Sequence, residues 1–185
     1  MSLRVISGSA KGRKLKDPPG KTTRPVTDKV KQAVFNIIGQ DVIDSTWWDV
    51  FGGTGAIGIE ALSRGASFVR FCELNRLPLE IINSNLQICG FSENAEVIRT
   101  DAFKMLTSSP DRKFDYIYIA PPQYRGLWIQ SLTILDENAS WLEEDGWILV
   151  QINPVEDINI PLRNLTRFDE RKYGSTKLLF YQLSN

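Results

Sequence analysis

A glycine-rich segment between two acidic residues is the part of the sequence best suited to chemistry. The segment reads Asp49-Val-Phe-Gly-Gly-Thr-Gly-Ala-Ile-Gly58, in which Gly53, Gly55 and Gly58 have the spacing G-x-G-x-x-G. Glycines in this pattern let a strand turn tightly into a helix, so that backbone amides at the helix N-terminus face a ligand. Glu73 ends the next predicted strand, where a carboxylate can accept hydrogen bonds from two ribose hydroxyls. The segment therefore predicts a site for a nucleoside-containing cofactor.

The acid before the glycines distinguishes two kinds of cofactor. A dinucleotide would place its pyrophosphate in this region, where the carboxylate of Asp49 would repel it. The same carboxylate can accept hydrogen bonds from the ammonium of a methionine moiety, which favours S-adenosylmethionine. Asp101, after the third strand, is placed to accept from an adenine amino group, although a helix N-cap role fits it equally well. The residues expected to contact the cofactor are Asp49, Gly52, Gly53, Thr54, Gly55, Gly58, Glu73, Leu74, Asp101 and Ala102.

A second candidate segment follows the fourth predicted strand and reads Ala120-Pro-Pro-Gln-Tyr124. Two successive prolines hold the chain extended and leave backbone carbonyls available to a ligand. An aromatic ring beside them can stack on a flat base, although a rigid loop with a packed tyrosine is the structural alternative. The residues expected to act in catalysis are Ala120, Pro121, Pro122, Gln123 and Tyr124.

The N-terminal segment carries an excess of positive charge in a chain whose formal net charge is zero. Residues 1–31 contain nine Lys or Arg against two acids, which suggests a polyanionic partner such as a nucleic acid. A solvated tail without a specific role is the alternative. The residues expected to contact RNA are Arg4, Lys11, Arg13, Lys14, Lys16 and Arg24.

Alternating strand and helix patterns indicate the elements that position these segments. Strands are predicted at 46–51, 68–73, 96–99, 114–119 and 147–152, helices at 27–38, 56–64, 77–89, 102–106 and 127–136, and a terminal antiparallel hairpin at 165–172 and 177–183. Repeated βα units predict an α/β fold with a doubly wound, mostly parallel, seven-stranded sheet. Residues 1–20 are predicted to form a basic β-hairpin that docks RNA, and residues 21–185 to form the cofactor-binding domain.

Composition excludes several classes of function. The chain has no histidine, which excludes histidine bases, serine–histidine or cysteine–histidine pairs, and histidine metal sites. No apolar run approaches the ~18 residues of a membrane span. Cys72 and Cys89 lie in apolar surroundings without metal-ligand spacing, so we expect reduced thiols, no metal site and a cytoplasmic location.

Blocks of sequence along the whole chain fit one known family. They are Arg4-Val-Ile-Ser-Gly, Lys11-Gly-Arg-Lys-Leu15, Thr23-Arg-Pro-Val-Thr-Asp-Lys-Val-Lys31, the glycine segment, Gly58-Ile-Glu-Ala-Leu-Ser-Arg-Gly-Ala66 and Phe114-Asp-Tyr-Ile. With them the chain resembles the bacterial 16S ribosomal RNA guanine-N(2) methyltransferases. The resemblance implies a Rossmann-like class I methyltransferase that uses S-adenosylmethionine to methylate the exocyclic amine of a guanine. Its implied partner is ribosomal RNA or the assembling small ribosomal subunit, and one domain with a basic arm suggests a monomer.

The chain departs from that family at Ala120, because the family carries Asp-Pro-Pro-Tyr or a close variant at this point. There the acid and the adjacent carbonyl accept hydrogen bonds from the target amine. Loss of one charge-assisted acceptor would remove about 1.5–3 kcal/mol of the interaction free energy that orients the target amine. Two alternatives therefore stay open: an RNA-binding relative that has lost catalysis, and an amino-methyltransferase that acts on adenine or on DNA.

Overall fold

A computed structural model describes residues 3–18 and 26–184 of the chain. The chain divides into two compact units, Met1–Asp101 and Ala102–Asn185. Each unit carries one of the two candidate segments, the glycine segment in the first and the proline segment in the second. No helix within 3–18 and 26–184 is long and apolar enough to cross a membrane.

The first unit alternates helices and parallel strands. Its elements are α1 (Asp28–Ile38), β1 (Thr46–Asp49), α2 (Ala56–Ser63), β2 (Phe68–Glu73), α3 (Arg76–Cys89) and β3 (Ala95–Arg99), with short 3-10 helices at Gly39–Val42 and Ser92–Asn94. The strand order is β3-β2-β1, and both pairings are parallel. The carboxyl ends of β1 and β2 thus lie side by side, which places Asp49 and Glu73 at one edge of the sheet.

The second unit contains the remaining strands. Its elements are α4 (Ala102–Leu106), β4 (Phe114–Ile119), α5 (Leu127–Glu137), β5 (Leu142–Ile152), β6 (Leu165–Tyr173) and β7 (Thr176–Leu183), with 3-10 helices at Ala139–Trp141 and Pro154–Glu156. The strand order is β4-β5-β7-β6; β4 and β5 are parallel, and the other two pairings are antiparallel. The seven strands belong to one mixed sheet, which confirms the predicted fold class.

The buried surfaces explain why these segments fold as they do. Thr27 caps α1 by accepting a hydrogen bond from the amide of Val30, as its position before an apolar helical pattern predicts. The inner parallel strands β1, β2 and β4 bury most of their side chains on both faces, as β1 does with Trp47 and Trp48, whereas the edge strand β3 is only half-buried. These apolar runs are the sequence signal from which the βα units were predicted.

The strand β5 begins five residues earlier than predicted, at Leu142 rather than at position 147. Glu143, Glu144, Asp145 and Gly146, which the prediction left outside the strand, extend it. A register irregularity against β4 accommodates them.

The N-terminal hairpin prediction is wrong in its extent. The described residues 3–18 contain one isolated antiparallel bridge, between Arg4 and Lys14, instead of two strands. Two backbone bonds accompany the bridge, from Val5 N to Arg13 O and from Leu15 N to Leu3 O. Other amides of the segment donate to side chains of α2 and α3, and these tertiary bonds replace a longer ladder.

Candidate active site

The glycine turn after β1 has the geometry that its sequence predicts. Gly53 and Gly55 have φ angles of 55° and 75°, which only glycine adopts without strain. The Gly52 amide donates to Cys72 O at 2.8 Å, and the Gly55 amide donates to Gly52 O at 2.7 Å. These bonds fix the turn to the end of β2 and lead directly into α2.

Gly58 allows α2 to pack closely against β2. A Cβ atom at this position would lie 2.4 Å from the ring of Phe71 and 2.7 Å from Val69. The third glycine of the motif therefore permits close helix–strand packing, the role that position has in Rossmann-type folds.

Glu73 is connected to the glycine turn through its carboxylate. Oε2 accepts from the Gly53 amide at 3.2 Å, and Oε1 accepts from the Asn75 amide at 2.8 Å. Each carboxylate oxygen has two acceptor positions, so the group can hold these amides and still accept from ribose hydroxyls. The predicted acid and the turn are thus brought together.

Asp49 is buried at the end of β1, with 4% of its surface exposed. Burial raises the pKa of its carboxyl well above 3.8, the negative charge of Glu73 acts in the same direction, and a hydrogen bond from the Gly58 backbone opposes the shift. A buried carboxyl next to a second carboxylate favours a bound cation. The ammonium of a methionine moiety is such a cation.

The remaining residues expected to contact the cofactor differ in their exposure. Leu74 is 55% exposed directly after Glu73, and its carbonyl accepts from Arg99 Nε at 3.4 Å. Asp101 is exposed at the end of the first unit, and Ala102 is buried at the start of α4 in the second. Their contact with a cofactor stays a prediction.

Asn85 on α3 was missed by sequence reasoning, although it contacts the predicted turn. Its side chain is fully buried; Oδ1 accepts from the Lys16 amide at 2.7 Å, and Nδ2 donates to Lys16 O at 3.1 Å and to Thr54 O at 3.0 Å. Asn85 thus ties the basic N-terminal segment to the glycine turn. A polar residue on the buried face of a helical pattern was the only signal in the sequence.

A second buried polar group anchors the N-terminal segment to α2. The carboxylate of Glu60 accepts from the amides of Ile6 and Ser7 at 2.8 and 3.0 Å. It also lies 2.9 Å from Arg64 and 3.6 Å from the buried ammonium of Lys31, which donates to the carbonyl of Arg4. The segment is therefore folded onto the first unit.

The predicted RNA-contacting side chains of residues 3–18 are exposed, and they are Arg4, Lys11, Arg13, Lys14 and Lys16. Two have protein partners: Arg4 pairs with Asp28 at 3.1 Å, and Arg13 donates to Ile88 O at 2.8 Å. Arg24 lies outside the described residues. The exposed cations of residues 3–18 give this segment a positive charge suited to an anionic partner.

The proline segment after β4 presents an exposed tyrosine. Pro121 is buried, whereas the Tyr124 side chain is among the exposed large hydrophobic residues at 67%. Tyr124 has a φ of 63°, a left-handed conformation that costs a non-glycine residue about 1–3 kcal/mol. Ala120 and Gln123 are half-buried and Pro122 is exposed.

The turn after β5 holds Tyr124 at both ends, a contact that the sequence analysis did not predict. Glu156 Oε1 accepts from the Tyr124 amide at 2.8 Å, and Asn153 Nδ2 donates to the Tyr124 hydroxyl at 2.8 Å. Asn153 and Glu156 also form a capping box around Pro154. The sequence Asn153-Pro-Val-Glu156 directly after an apolar strand was a readable signal for that turn, but not for its partner.

The βα sheet with antiparallel C-terminal strands, combined with a glycine turn between two acids, defines a Rossmann-like class I methyltransferase fold. A family model described as "Conserved hypothetical protein 95" matches residues 3–182, and the chain belongs to that family.

Several proteins are similar to this chain over nearly their whole length. A Bacillus subtilis protein named "Putative rRNA methyltransferase YlbH" is 36% identical over 182 residues, which cover 97% of this chain and 98% of the relative. A Haemophilus influenzae protein named "Ribosomal RNA small subunit methyltransferase D" is 33% identical, over 97% of this chain and 93% of the relative. A solved Escherichia coli structure, "Putative methyltransferase yhhF", has a TM-score of 0.87 at 28% identity, over 99% of this chain and 98% of that one. The resemblance stated from the sequence is confirmed.

Proposed function

We propose that this chain transfers a methyl group from S-adenosylmethionine to the exocyclic 2-amino group of a guanine in small-subunit rRNA. The cofactor is S-adenosylmethionine, and the chain is an rRNA methyltransferase that uses it. The choice of guanine N2 is the finer step. It is supported by the sequence blocks that resemble those of the guanine-N(2) methyltransferases. The relatives named for the small ribosomal subunit support small-subunit rRNA as the substrate.

The observation that carries the proposal is the buried carboxyl of Asp49 beside the glycine turn. A site for a negatively charged pyrophosphate would not contain this group, whereas a site for an ammonium requires an acceptor of this kind. We assign Asp49 to the ammonium of the cofactor's methionine moiety and the amides of the glycine turn to the carboxylate of the same moiety. Glu73 is assigned to the ribose hydroxyls. These assignments use contacts within the first unit alone.

In the second unit, the chain's own groups would bind the target base. S-adenosylmethionine, when bound, supplies an electrophilic methyl group on a sulfonium. We assign the Tyr124 ring to stacking on the guanine, and the carbonyls of Ala120 and Pro121 to accepting hydrogen bonds from its amine. The bound cofactor would supply the methyl group, and the carbonyls of Ala120 and Pro121 would orient the amine that accepts it. Extrusion of the guanine from its stack is expected for chemistry on a base edge.

Ala120 lowers the expected rate without removing the mechanism. Backbone carbonyls replace one charge-assisted acceptor by neutral ones, and the orientation of two bound reactants supplies most of the rate enhancement in such a transfer. The exposed cations of residues 3–18 are assigned to phosphates, which would position the RNA rather than read its sequence. We propose that the chain acts as a monomer in the cytoplasm.

The test is methyl transfer from labelled S-adenosylmethionine to small-subunit rRNA, offered both deproteinised and as particles that lack the modification. Digestion of the product to nucleosides should give labelled N2-methylguanosine with the natural chain and none with Asp49→Ala. The charge-matched control Glu144→Ala, at an exposed position of the second unit, should retain the activity of the natural chain.

The absence of an acid at Ala120 also supports a second function, that of an RNA-binding assembly factor without catalysis. The two functions differ in one result. A cofactor-bound chain that binds small-subunit rRNA but transfers no methyl group would support the assembly factor. Labelled N6-methyladenosine in the product would show that the target base is adenine rather than guanine. Either result would contradict the proposal.

A further inference from the structure

Tyr124 is held in an unfavourable conformation although its side chain is largely exposed. Its φ of 63° lies in the left-handed region, and 67% of the residue is accessible. An exposed ring buries little apolar surface, so the packing of a core does not explain why the chain keeps this conformation. The contacts that fix Tyr124 must therefore be polar ones.

Those contacts come from one short turn after β5. The Glu156 carboxylate accepts from the Tyr124 amide through Oε1 and from the Asn153 amide through Oε2, at 2.8 and 3.1 Å. Asn153 donates its side-chain amide to the Tyr124 hydroxyl at 2.8 Å and accepts from the Val155 amide at 3.1 Å. The backbone amide and the hydroxyl of Tyr124 are thus held by two side chains, and each of these side chains also accepts from a backbone amide of the same turn.

The turn has a rigid base. Strands β4 and β5 run parallel, with Ile119 opposite Val150, so the segments that follow both strands leave the sheet side by side. Pro154 limits the backbone of the turn, and the capping box closes it. The edge beyond the carboxyl ends of parallel strands is where α/β sheets bind their ligands.

We infer that Asn153 and Glu156 are positioning residues for the target base: they hold Tyr124 so that its ring presents a fixed face for stacking. The inference rests on the proposed function, since it supplies the support for the ring to which the guanine is assigned. It also explains how a loop without the family's acid keeps one defined geometry. Neither residue is assigned a direct contact with the cofactor.

The test compares Asn153→Ala, Tyr124→Phe and the double variant in the methyl-transfer assay. Each single variant should lower kcat roughly three- to tenfold, the loss expected from one hydrogen bond, with KM for S-adenosylmethionine unchanged. Because both act through the same bond, the double variant should be about as active as the weaker single variant. The inference would be overturned if the fold-decrease in kcat of the double variant equals the product of the two single decreases. It would also be overturned if the kcat of Asn153→Ala lies within twofold of that of the natural chain.

Glu156→Ala should lower kcat in the same way, and Glu156→Gln should recover part of the loss because its amide oxygen still accepts from the Tyr124 amide. Equal losses in both variants would mean that charge, not the hydrogen bond, is what matters, and would overturn the role given to Glu156. The matched control is Glu144→Ala, which removes the same charge from an exposed position of the same unit.

Limited trypsin digestion tests the contact independently of catalysis. Arg125 follows Tyr124 and is exposed, so cleavage after Arg125 reports how often the segment opens. Cleavage there should be severalfold faster in Glu156→Ala than in the natural chain or in Glu144→Ala, with cleavage after the exposed Arg112 as the internal reference. An unchanged ratio would overturn the inference. If the natural chain transfers no methyl group, the proposed function fails, and this ratio still decides whether the turn holds Tyr124.

Discussion

The buried carboxyl of Asp49 opposes the stability of the fold that carries it. Its carboxyl is buried, and burial raises its pKa well above 3.8. Ionisation is therefore less favourable in the folded chain than in the unfolded one. The free energy of unfolding therefore begins to decrease as the pH rises above 3.8. The decrease is complete once the pH exceeds the raised pKa.

Replacing Asp49 by asparagine should separate stability from binding. The variant keeps an acceptor for the Gly58 amide but cannot ionise, so its free energy of unfolding at pH 7 should exceed that of the natural chain. The difference should shrink as the pH falls toward 3.8, the ordinary aspartate pKa. Its affinity for S-adenosylmethionine should fall roughly tenfold to a hundredfold, the value of a hydrogen bond to a charged group.

Thermal unfolding across that pH range and calorimetry with S-adenosylmethionine provide the two measurements. If Asp49→Asn is less stable than the natural chain at pH 7 and binds the cofactor with normal affinity, the assignment of Asp49 to the cofactor site is contradicted. Asp44→Asn is the matched control, because Asp44 is exposed.

Cofactor binding should also be coupled to proton release. A bound ammonium lowers the pKa of Asp49 from its raised value, so at pH values between the bound and unbound pKa the carboxyl loses a proton when the cofactor binds. Affinity should therefore rise with pH through this range. Calorimetry in buffers of different ionisation enthalpy measures the protons released, and Asp49→Asn should release fewer. Equal release by both proteins would contradict the assignment.

At the scale of elements, Gly58 tests the packing of α2 on β2. A glycine-to-alanine change inside a helix ordinarily stabilises it by about 0.5–1 kcal/mol. Here the new Cβ would lie 2.4 Å from the Phe71 ring, so Gly58→Ala should instead destabilise the chain by about 1–3 kcal/mol. Denaturant unfolding gives the sign. A stabilised variant would show that the helix and strand are not in close contact at this position.

Asn85 tests the connection between the N-terminal segment and the glycine turn. Asn85→Ala leaves the Lys16 amide without its acceptor and the Thr54 carbonyl without its donor, a loss of about 1 kcal/mol for each part-buried hydrogen bond. We expect lower stability together with weaker binding of S-adenosylmethionine. The control Asn83→Ala removes an exposed amide from the same helix. Normal cofactor affinity in Asn85→Ala would limit the residue to a structural role.

Most elements could be predicted from the sequence because their signals are local. The strand Phe68–Glu73, the helix Ala102–Leu106 and the strand Phe114–Ile119 have the predicted bounds, since a burial pattern and a following turn mark each of them. The N-terminal hairpin was overestimated because its amides bond to Glu60 and Ser63, fifty or more positions away. Alternation of residue types cannot reveal such partners.

The candidate site was predictable to the same degree. The spacing of Gly53, Gly55 and Gly58 identifies the turn, and Glu73 is found by its distance along the chain. Asn85 and Asn153 could not be found in this way, because their role depends on partners brought near by the fold. Sequence motifs report local geometry, whereas supporting residues depend on the tertiary structure.

At the scale of the whole molecule, the charge is distributed unevenly. The chain is formally neutral, yet exposed cations cluster in the N-terminal segment. A protein that neutralises phosphates releases counterions, so RNA affinity should fall steeply with salt.

Lys11 and Lys14 are the residues to change, because both are exposed. The double variant Lys11→Ala, Lys14→Ala should bind small-subunit rRNA more weakly and reduce the slope of log affinity against log salt by roughly 0.7–0.9 for each phosphate that the variant no longer neutralises. Its affinity for S-adenosylmethionine should not change. Filter binding at several salt concentrations measures the slope. The control Lys172→Ala removes an exposed lysine from β6 of the second unit, and an equal reduction in this control would contradict a specific role for the N-terminal segment.

The methylated nucleosides of small-subunit rRNA in cells report the proposed reaction most directly. Small-subunit rRNA from cells with and without the protein can be digested to nucleosides and quantified by mass spectrometry, with the natural chain and Asp49→Ala returned to the deletion strain. Deletion should remove one N2-methylguanosine per small-subunit rRNA, the natural chain should restore it, and Asp49→Ala should not. An unchanged N2-methylguanosine content after deletion, or the loss of a methylated adenosine in its place, would contradict the proposed reaction.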